Sequence, residues 1–273
     1  RGIEPDFLYD PSGLHWWECA LSLFRRQRED GIAKDAATYS AVISACESAG
    51  QWQRALGVLD SMLKKKNTEK SGIKGNDNDD DDDDDDDDLF NLYCFNGALS
   101  ACQKGGAWVE CLELYYRMVE KGGPLTPNII SLNCVVIALE EAGQKELAQS
   151  VFEEAMKNGI IDIWRTTRDT GSGKLIRAVD FHSCSAALAN AALRSVIDSF
   201  LNPQREPYHD VDSDLVIIVG KGRGSEFEPV LLTSVQMLIE TEYNVKCVLD
   251  EDNTGRLVLE STTLKELQQV RSW

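Results

Sequence analysis

An aspartate and a histidine stand two residues apart at the end of a predicted strand. The run Val179-Asp180-Phe181-His182 closes the apolar stretch 175–181, whose composition is typical of a buried strand. Residues i and i+2 of an extended strand point to the same side, so both side chains can face one substrate. A carboxylate here can act as a general base or hold Mg²⁺, and an imidazole can transfer a proton. Asp180 and His182 are therefore the candidate catalytic residues, and Asp180 is the candidate metal ligand.

A glycine-rich loop follows the next predicted strand, residues 215–219. Exposed backbone N–H groups and two cations at a strand end are suited to holding a phosphate. A structural Asp–His hydrogen bond and a plain glycine turn remain alternatives for the two stretches. The candidate phosphate-binding residues are Gly220, Lys221, Gly222, Arg223, Gly224 and Ser225.

The elements that position these residues alternate between strand and helix. Their order predicts a two-layer α/β sandwich over residues 176–273. The polar, glycine-bearing residues 164–175 are predicted to be a linker before it. The predicted strands are 175–181, 215–219, 245–249 and 256–259, and the predicted helices are 185–201, 229–241 and 264–270.

Residues 1–163 contain an internal repeat. Ser-Ala-Cys recurs at 44–46 and 100–102, and each copy has two amphipathic helical stretches broken by a glycine. One helical hairpin cannot bury its apolar face alone, so the copies are predicted to stack into an α-solenoid. The copies are 37–62, 93–118 and 130–156, with a half copy at 15–24 and breaks near Gly50, Gly106 and Gly143.

An acidic run interrupts the repeats and dominates the charge of the chain. Asp77 and residues 79–88 contribute −11 to the net charge of −18, which leaves −7 for the rest. The insertion, about residues 67–90, is predicted to be disordered because its like charges repel each other. Neither half of the chain is strongly basic, so contact with nucleic acid would need a local patch rather than a general positive field.

The cysteine pattern and the hydropathy of the chain argue against a zinc site and against a membrane span. The eight cysteines form no CxxC pair, which favours buried free thiols in a reducing compartment over a zinc site. No apolar run reaches the ~18 residues of a membrane span, so no membrane partner is expected. The chain opens on Arg1 within a repeat-like region, and we expect it to be a piece of a longer protein whose targeting segment is not visible.

The repeats resemble the pentatricopeptide repeat family over roughly residues 16–163. The rival resemblance is to the tetratricopeptide repeat, which would imply a peptide-binding scaffold. The pentatricopeptide resemblance implies a superhelix that binds single-stranded RNA at about one base per repeat. The residues that carry it are Thr38-Tyr39-Ser40, Ala49-Gly50, Ala55, Met62 and Gly31-Ile32 with Asp35.

This resemblance also implies which residues select the bases. One is a polar residue early in the first helix, and the other closes the repeat. Ser40 with Asn91 would favour adenine. Asn96 with Asn128 would favour a pyrimidine. Ordinary capping and turn chemistry is an equally weighted alternative for all of them. The early positions are Ser40, Asn96 and Asn133, and the closing positions are Asp35, Asn91 and Asn128.

The last third of the chain resembles the small MutS-related (Smr) domain over roughly residues 176–261. The carrying stretches are 179–182, 220–223 and Gly255-Arg256-Leu257-Val258, whereas Val219 departs from the family's usual Thr. The resemblance implies nucleic-acid binding, with DNA as a second ligand beside RNA. In some members it implies endonuclease activity, either metal-independent or assisted by Mg²⁺.

Repeats followed by an Smr domain are similar to a class of proteins found mostly in plant and algal organelles. The resemblance implies an organellar RNA-binding protein, with the chloroplast favoured over the mitochondrion. Its C-terminal domain would bind or cut nucleic acid during RNA processing. The alternative from another class is a non-catalytic adaptor that binds and protects RNA.

Overall fold

The structure is a computed structural model that describes residues 15–32, 34–71, 84–168, 175–202, 214–220, 230–250 and 253–271. It divides into two compact units, Arg1–Gly143 and Gln144–Trp273. The described residues include no helix that is both long and apolar enough to cross a membrane.

The first unit consists of antiparallel helix pairs, as the repeat predicts. The first helices of successive copies, α2, α4 and α6, lie side by side, and α2 and α4 each pack on the second helix of their own copy. A short 3-10 turn, Gly123–Leu125, separates α5 from α6. The helices are α1 (Trp16–Glu29), α2 (Ala36–Ser48), α3 (Trp52–Ser71), α4 (Asp84–Lys104), α5 (Trp108–Lys121) and α6 (Ile129–Glu141).

Equivalent glycines end the first helix of each copy. Gly50, Gly106 and Gly143 have φ angles of 61°, 69° and 72°, in the left-handed region that favours glycine. The predicted breaks between paired helices are therefore confirmed.

The acidic insertion differs from the prediction of disorder over 67–90. Residues 67–71 continue α3, and residues 84–90 form the first turns of α4, while residues 72–83 lie outside the described residues. Aspartates begin α4 and lysines lie in the second half of α3. These are the charge signs that the two ends of a helix favour, because they complement its dipole.

The second unit contains a five-stranded mixed sheet in the order β1-β2-β3-β5-β4. Strands β2 and β3 are parallel, and the other neighbouring pairs are antiparallel. The elements are α7 (Lys145–Lys157), β1 (Trp164–Arg168), β2 (Leu175–Asp180), α8 (Ala186–Leu201), β3 (Leu215–Ile218), α9 (Val230–Tyr243), β4 (Val248–Leu249), β5 (Arg256–Leu259) and α10 (Ser261–Arg271).

The predicted linker 164–175 is wrong over its first half. Residues 164–168 form strand β1, which pairs antiparallel with β2 from Trp164 opposite Val179 to Arg168 opposite Leu175. Its Arg-Thr-Thr-Arg sequence is polar because β1 lies at the edge of the sheet, where polar strands are common. Residues 169–174 lie outside the described residues.

The two crossover connections place α8 and α9 on the same face of the sheet. Strand β4 is parallel to β3, since both are antiparallel to β5. The connections β2–α8–β3 and β3–α9–β4 therefore cross the sheet in one direction, and right-handed crossovers then lie on one side. The packing of α8 against α9 agrees with this. The residues buried on the helical side are Val179, Leu215, Ile217, Leu257 and Leu259.

The other side of the sheet is here named the open face. Directly paired residues point to the same side and neighbours along a strand alternate, so the register assigns its members. Asp180 pairs with Ile218, which pairs with Arg256 in the next strand, so these three form one row. The open face carries Arg165, Thr167, Ala178, Asp180, Val216, Ile218, Val248, Arg256 and Val258, of which Ala178 and Val216 are buried.

Helix α7 belongs to the second unit, although its sequence is the second helix of the third copy. The predicted repeat region extends to residue 163, but the division falls at Gly143. Lys145 and the buried Arg194 of α8 both bind Glu242 of α9, and Gln149 donates to Asp198 of α8 at 2.9 Å. Burial alone would raise the pKa of Glu242, but the hydrogen bonds and charges of Arg194 and Lys145 lower it below its usual value.

All eight cysteines are free thiols, and five of them are buried. Burial raises the pKa of Cys94 to about 11 and that of Cys102 to about 12, the latter with a smaller contribution from the charge of Glu110. The expectation of buried free thiols is confirmed for this group.

Candidate functional site

Asp180 ends β2 at the edge of the sheet where the parallel strand β3 also ends. Its N–H donates to the carbonyl of Ile163 at 2.8 Å, and the next N–H, of Phe181, donates to Ile218 at 2.8 Å. Phe181 is fully buried, which fixes the backbone between the two candidate catalytic residues. The Asp180 side chain is 12% exposed.

Asp180 and His182 form a direct carboxylate–imidazole pair. Nδ1 of His182 lies 2.5 Å from Oδ1 of Asp180, and the His182 backbone N–H donates to the same oxygen at 3.1 Å. Because a carboxylate only accepts, Nδ1 carries the proton and Nε2 is the basic nitrogen of the neutral ring. The His182 side chain is 60% exposed, so Nε2 is the atom of the pair that a substrate can reach.

Arg165 of β1 is the third member of this cluster. Its Nε lies 3.8 Å from Oδ2 of Asp180, and its guanidinium also pairs with Asp162 at 3.6 Å. Asp180 is thus held on one oxygen by His182 and on the other side by Arg165. Sequence reasoning missed Arg165 because its partner lies across the β1–β2 pairing; the alternating Arg-Thr-Thr-Arg pattern was the available signal.

The geometry changes the predicted role of Asp180. Expected as a general base or a Mg²⁺ ligand, it is mostly buried, and His182 and Arg165 engage its two oxygens, so the observed contacts hold the His182 ring in place. Within the part of the chain that the structure describes, no three His, Cys, Asp or Glu residues are grouped to hold a metal ion. With Asp180 held by His182 and Arg165, the described residues do not form a Mg²⁺ site.

Gly220 has a different role from the predicted one. Predicted as one of the phosphate-binding residues, it donates its N–H to the carbonyl of Gly255 at 3.2 Å. Its φ of 80° is left-handed, and a Cβ at this position would lie 3.4 Å from Cβ of His182. Glycine therefore lets the β3 end approach His182 closely. The other predicted phosphate-binding residues, Lys221, Gly222, Arg223, Gly224 and Ser225, lie outside the described residues.

Cys184 lies near the Asp180–His182 pair, but its environment disfavours the thiolate that a nucleophilic cysteine needs. Burial, and to a lesser extent the charge of Asp180, raise the pKa of Cys184 to about 11. The neutral thiol is a poor nucleophile near neutral pH.

In the first unit, the structure brings Asn96 and Asn128 together. Nδ2 of Asn96 lies 3.5 Å from Oδ1 of Asn128, and the hydroxyl of Ser131 donates to Oδ1 of Asn96 at 2.6 Å. Asn128 caps α6, accepting from the backbone N–H groups of Ile130 and Ser131. The helix-capping alternative therefore describes Asn128, and the cap itself places it beside Asn96.

The other candidate base-selecting residues do not share one structural role. Asp35 caps α2 by accepting from the N–H of Thr38, while Ser40 in α2 and Asn133 in α6 are half-buried. Asn91, expected to close a repeat before the first helix, instead lies inside α4. The reason is that α4 begins earlier, at Asp84, so this copy has no cap at the expected position.

Comparisons with known proteins agree with the helical repeats. A family model described as PPR repeat matches residues 37–67 and 93–123. A pentatricopeptide repeat-containing protein of Arabidopsis thaliana is 26% identical over 149 residues, which is 55% of this chain and 15% of that protein. A second one from the same plant is 36% identical over 63 residues, which is 23% of this chain and 11% of that protein.

The first unit is thus a helical-repeat array, and its matched repeats support a pentatricopeptide repeat protein. The alignments span less than a sixth of either relative.

Proposed function

We propose that this is an organellar RNA-binding protein whose repeats select single-stranded RNA and whose C-terminal unit is an Smr domain that cleaves it. The observation that carries the catalytic half is the Asp180–His182 pair, with Nε2 of an exposed imidazole directed away from the carboxylate that orients it. The chloroplast remains the favoured compartment, on the resemblance stated above.

The cleavage proposed is an internal transesterification of RNA. Nε2 of His182 takes the proton of a ribose 2′-OH, and O2′ forms a bond to the adjacent phosphorus. The bond from phosphorus to O5′ breaks, and the leaving oxygen takes a proton from water. The products are a 2′,3′-cyclic phosphate and a 5′-OH end. The nucleophile is part of the substrate, so the step needs no metal-activated water.

Asp180 supports this step by fixing the tautomer and orientation of His182 and by stabilising the imidazolium that forms. Lys221 and Arg223, on the basis of the Smr resemblance, are proposed to neutralise the pentavalent phosphate together with the N–H groups of Gly222 and Gly224. DNA would bind the same unit without being cut, since it lacks the 2′-OH.

The repeats are proposed to supply the selection. Asn96 with Asn128 remains a proposed base-reading position, with pyrimidine as the expected base. Asn96 is buried and its amide bonds Asn128 and Ser131, so base reading requires those contacts to open. Asp35, Ser40 and Asn133 remain proposed base contacts. Adenine reading by Ser40 with Asn91 is no longer proposed, because Asn91 lies within a helix.

The test is cleavage of end-labelled single-stranded RNA in EDTA by wild type, His182→Ala and Asp180→Asn. Losing the base should lower the rate by roughly 10²- to 10⁴-fold, and Asp180→Asn should act in the same direction. An RNA with 2′-deoxyribose at the cut site should resist cleavage, and mass spectrometry should find cyclic-phosphate ends. Tight RNA binding without cleavage by wild type would contradict the enzyme and leave the non-catalytic adaptor.

A further inference from the structure

A cavity lies in the first unit between the start of α1 and the end of α2. Its volume is about 320 Å³, and three aromatic rings, those of His15, Trp16 and Trp17, form part of its wall. This volume is at the lower end of the range for small-molecule sites, which suits a single ring system and its sugar better than a larger ligand. None of the lining residues is Lys, Arg, Asp or Glu, so the cavity suits the neutral part of a ligand.

Trp16 is more exposed than the tryptophans at the equivalent positions of the later copies. Trp52 and Trp108, which also begin the second helix of a copy, are half-buried, whereas Trp16 is 55% exposed. Trp52 packs against Gly105, where a Cβ would lie 2.4 Å from Cδ1 of the indole. Ala49 has the position of Gly105 in the first copy and lines the cavity with Trp16. Its methyl group prevents the same approach, so the space beside Trp16 is not filled by the indole.

The aromatic rings of the cavity match the flat face of a nucleobase. The rings of His15 and Trp17 are stacked, with centroids 6.2 Å apart and planes 20° apart, and the exposed indole of Trp16 adds another π surface. Every base has a π face that stacks on an aromatic side chain, so this type of contact accepts any base.

Two polar side chains of the cavity can pair with the edge of such a base. The hydroxyl of Ser48 donates to the carbonyl of Ser44 at 2.9 Å, and its oxygen can accept a hydrogen bond from a base. The amide of Gln51 can both donate and accept. Ser48 lies two helical turns after Ser40 on the same side of α2, which is about 12 Å along the helix. The cavity is therefore close to a proposed base contact of the first copy.

We propose that the cavity beside Trp16 binds one unstacked base of the single-stranded RNA, next to the bases that the repeats select. This inference rests on the proposed function, because it adds a contact to the same RNA. It differs from the base-selecting positions because it uses aromatic stacking instead of a pair of polar side chains.

The experiment measures binding of end-labelled oligouridylate by the full chain, in the His182→Ala background so that the RNA stays intact. Losing one base–aromatic stack should weaken binding roughly 5- to 100-fold in Trp16→Ala. Trp16→Phe should keep most of the affinity, because a ring remains at this position. The loss in Trp16→Ala should be the same at low and high salt, since stacking releases no counterions.

Leu23→Ala is the matched control. It shortens an apolar side chain of the same helix that is 63% exposed and does not line the cavity, so it should leave the affinity unchanged. In a second readout, oligouridylate that carries 5-iodouridine should cross-link under ultraviolet light to residues 15–17, as identified by mass spectrometry. Trp16→Ala should reduce that cross-link.

Equal RNA affinities of the Trp16→Ala and Leu23→Ala proteins would overturn the proposal, and so would cross-links confined to other segments. Uridine monophosphate could instead bind in a Trp16-dependent way while RNA affinity does not depend on Trp16. That result would assign the cavity to a free nucleotide and would also overturn the proposal.

Failure of the proposed function gives a different result. A wild type that binds RNA without cutting it would refute the endonuclease, and the comparison of Trp16→Ala with Leu23→Ala would still decide the role of the cavity. A wild type that binds no RNA would refute the RNA-binding repeats and this inference together.

Discussion

At the residue scale, hydrogen-bond geometry distinguishes the roles proposed for Asp180 and His182. From the sequence alone, either Asp180 or His182 could be the general base, since both side chains can accept a proton. Burial and two partners commit the carboxylate to holding the ring, and its exposure makes the imidazole the proposed proton acceptor. The predicted Asp180→Asn effect therefore reports the orientation of His182 rather than the loss of a base.

The Arg194–Glu242 pair gives a residue-scale prediction about pH. The pKa of Glu242 is lowered from its usual 4.5 in the folded protein, so its stabilisation is full above that value and is lost as the pH falls through the lowered pKa. Glu242→Gln leaves Arg194 buried beside a neutral partner and should cost about 1–3 kcal/mol at pH 7. The difference from wild type should disappear well below pH 4.5.

Urea unfolding at several pH values measures this difference. Glu266→Gln on the exposed side of α10 is the control, because it makes the same chemical change at a solvent-facing position. A cost of Glu242→Gln that stays constant from neutral to strongly acidic pH would contradict the assignment.

At the element scale, neighbouring helices pack closely at positions that are occupied by glycine. A Cβ on Gly97 of α4 would lie 2.9 Å from Cγ2 of Ile43 in α2. The two helices are therefore too close at this point to accommodate a methyl group unless a neighbouring atom shifts. Gly105, just after α4, has the carbonyl oxygen of Gly50 and the ring of Trp52 as neighbours. These contacts set the spacing of the first two copies.

Gly105→Ala should destabilise the repeat unit. Its Cβ would lie 2.9 Å from the Gly50 oxygen and 2.4 Å from Cδ1 of Trp52, and a backbone atom cannot move away easily. Overpacking of this kind costs about 1–3 kcal/mol. Gly57→Ala in α3 is the matched control, since nothing lies within 4 Å of its Cβ. It should stabilise the helix by about 0.5–1 kcal/mol. Thermal unfolding should therefore give midpoint shifts of opposite sign, and shifts of the same sign would contradict the packing.

At the scale of the whole molecule, α7 links the repeat pattern to the second unit. By sequence it completes the third copy, but Lys145 and Gln149 bind side chains of α8 and α9, and the helix packs on α8. The unit that carries the Asp180–His182 pair therefore begins about 20 residues before its first strand.

Two fragments test this boundary. A chain of residues 144–273 should unfold cooperatively in urea, because it contains the complete second unit. A chain of residues 158–273 lacks α7 and should unfold at lower urea concentration or lose its cooperative transition. Equal midpoints for the two fragments would show that α7 is dispensable for this unit.

Local signals let the sequence predict much of the fold. The glycine breaks of the repeats, helix α8 and strand β5 lie where expected, because each depends on residues close together in the chain. The contact between Asp180 and His182 was also predictable, because the two are two residues apart in the chain, although His182 lies in the turn after β2 rather than in the strand.

The sequence by itself thus determined the repeat period, the type of most elements and the chemistry available at the end of β2. Tertiary structure alone decided that β1 is a strand, that Arg165 and Arg256 share a face with Asp180, and that α7 packs on α8. The physical reason is that strand register and helix packing join residues far apart in the chain. The amino-acid composition and the spacing of motifs along the chain contain no local signal for those pairings.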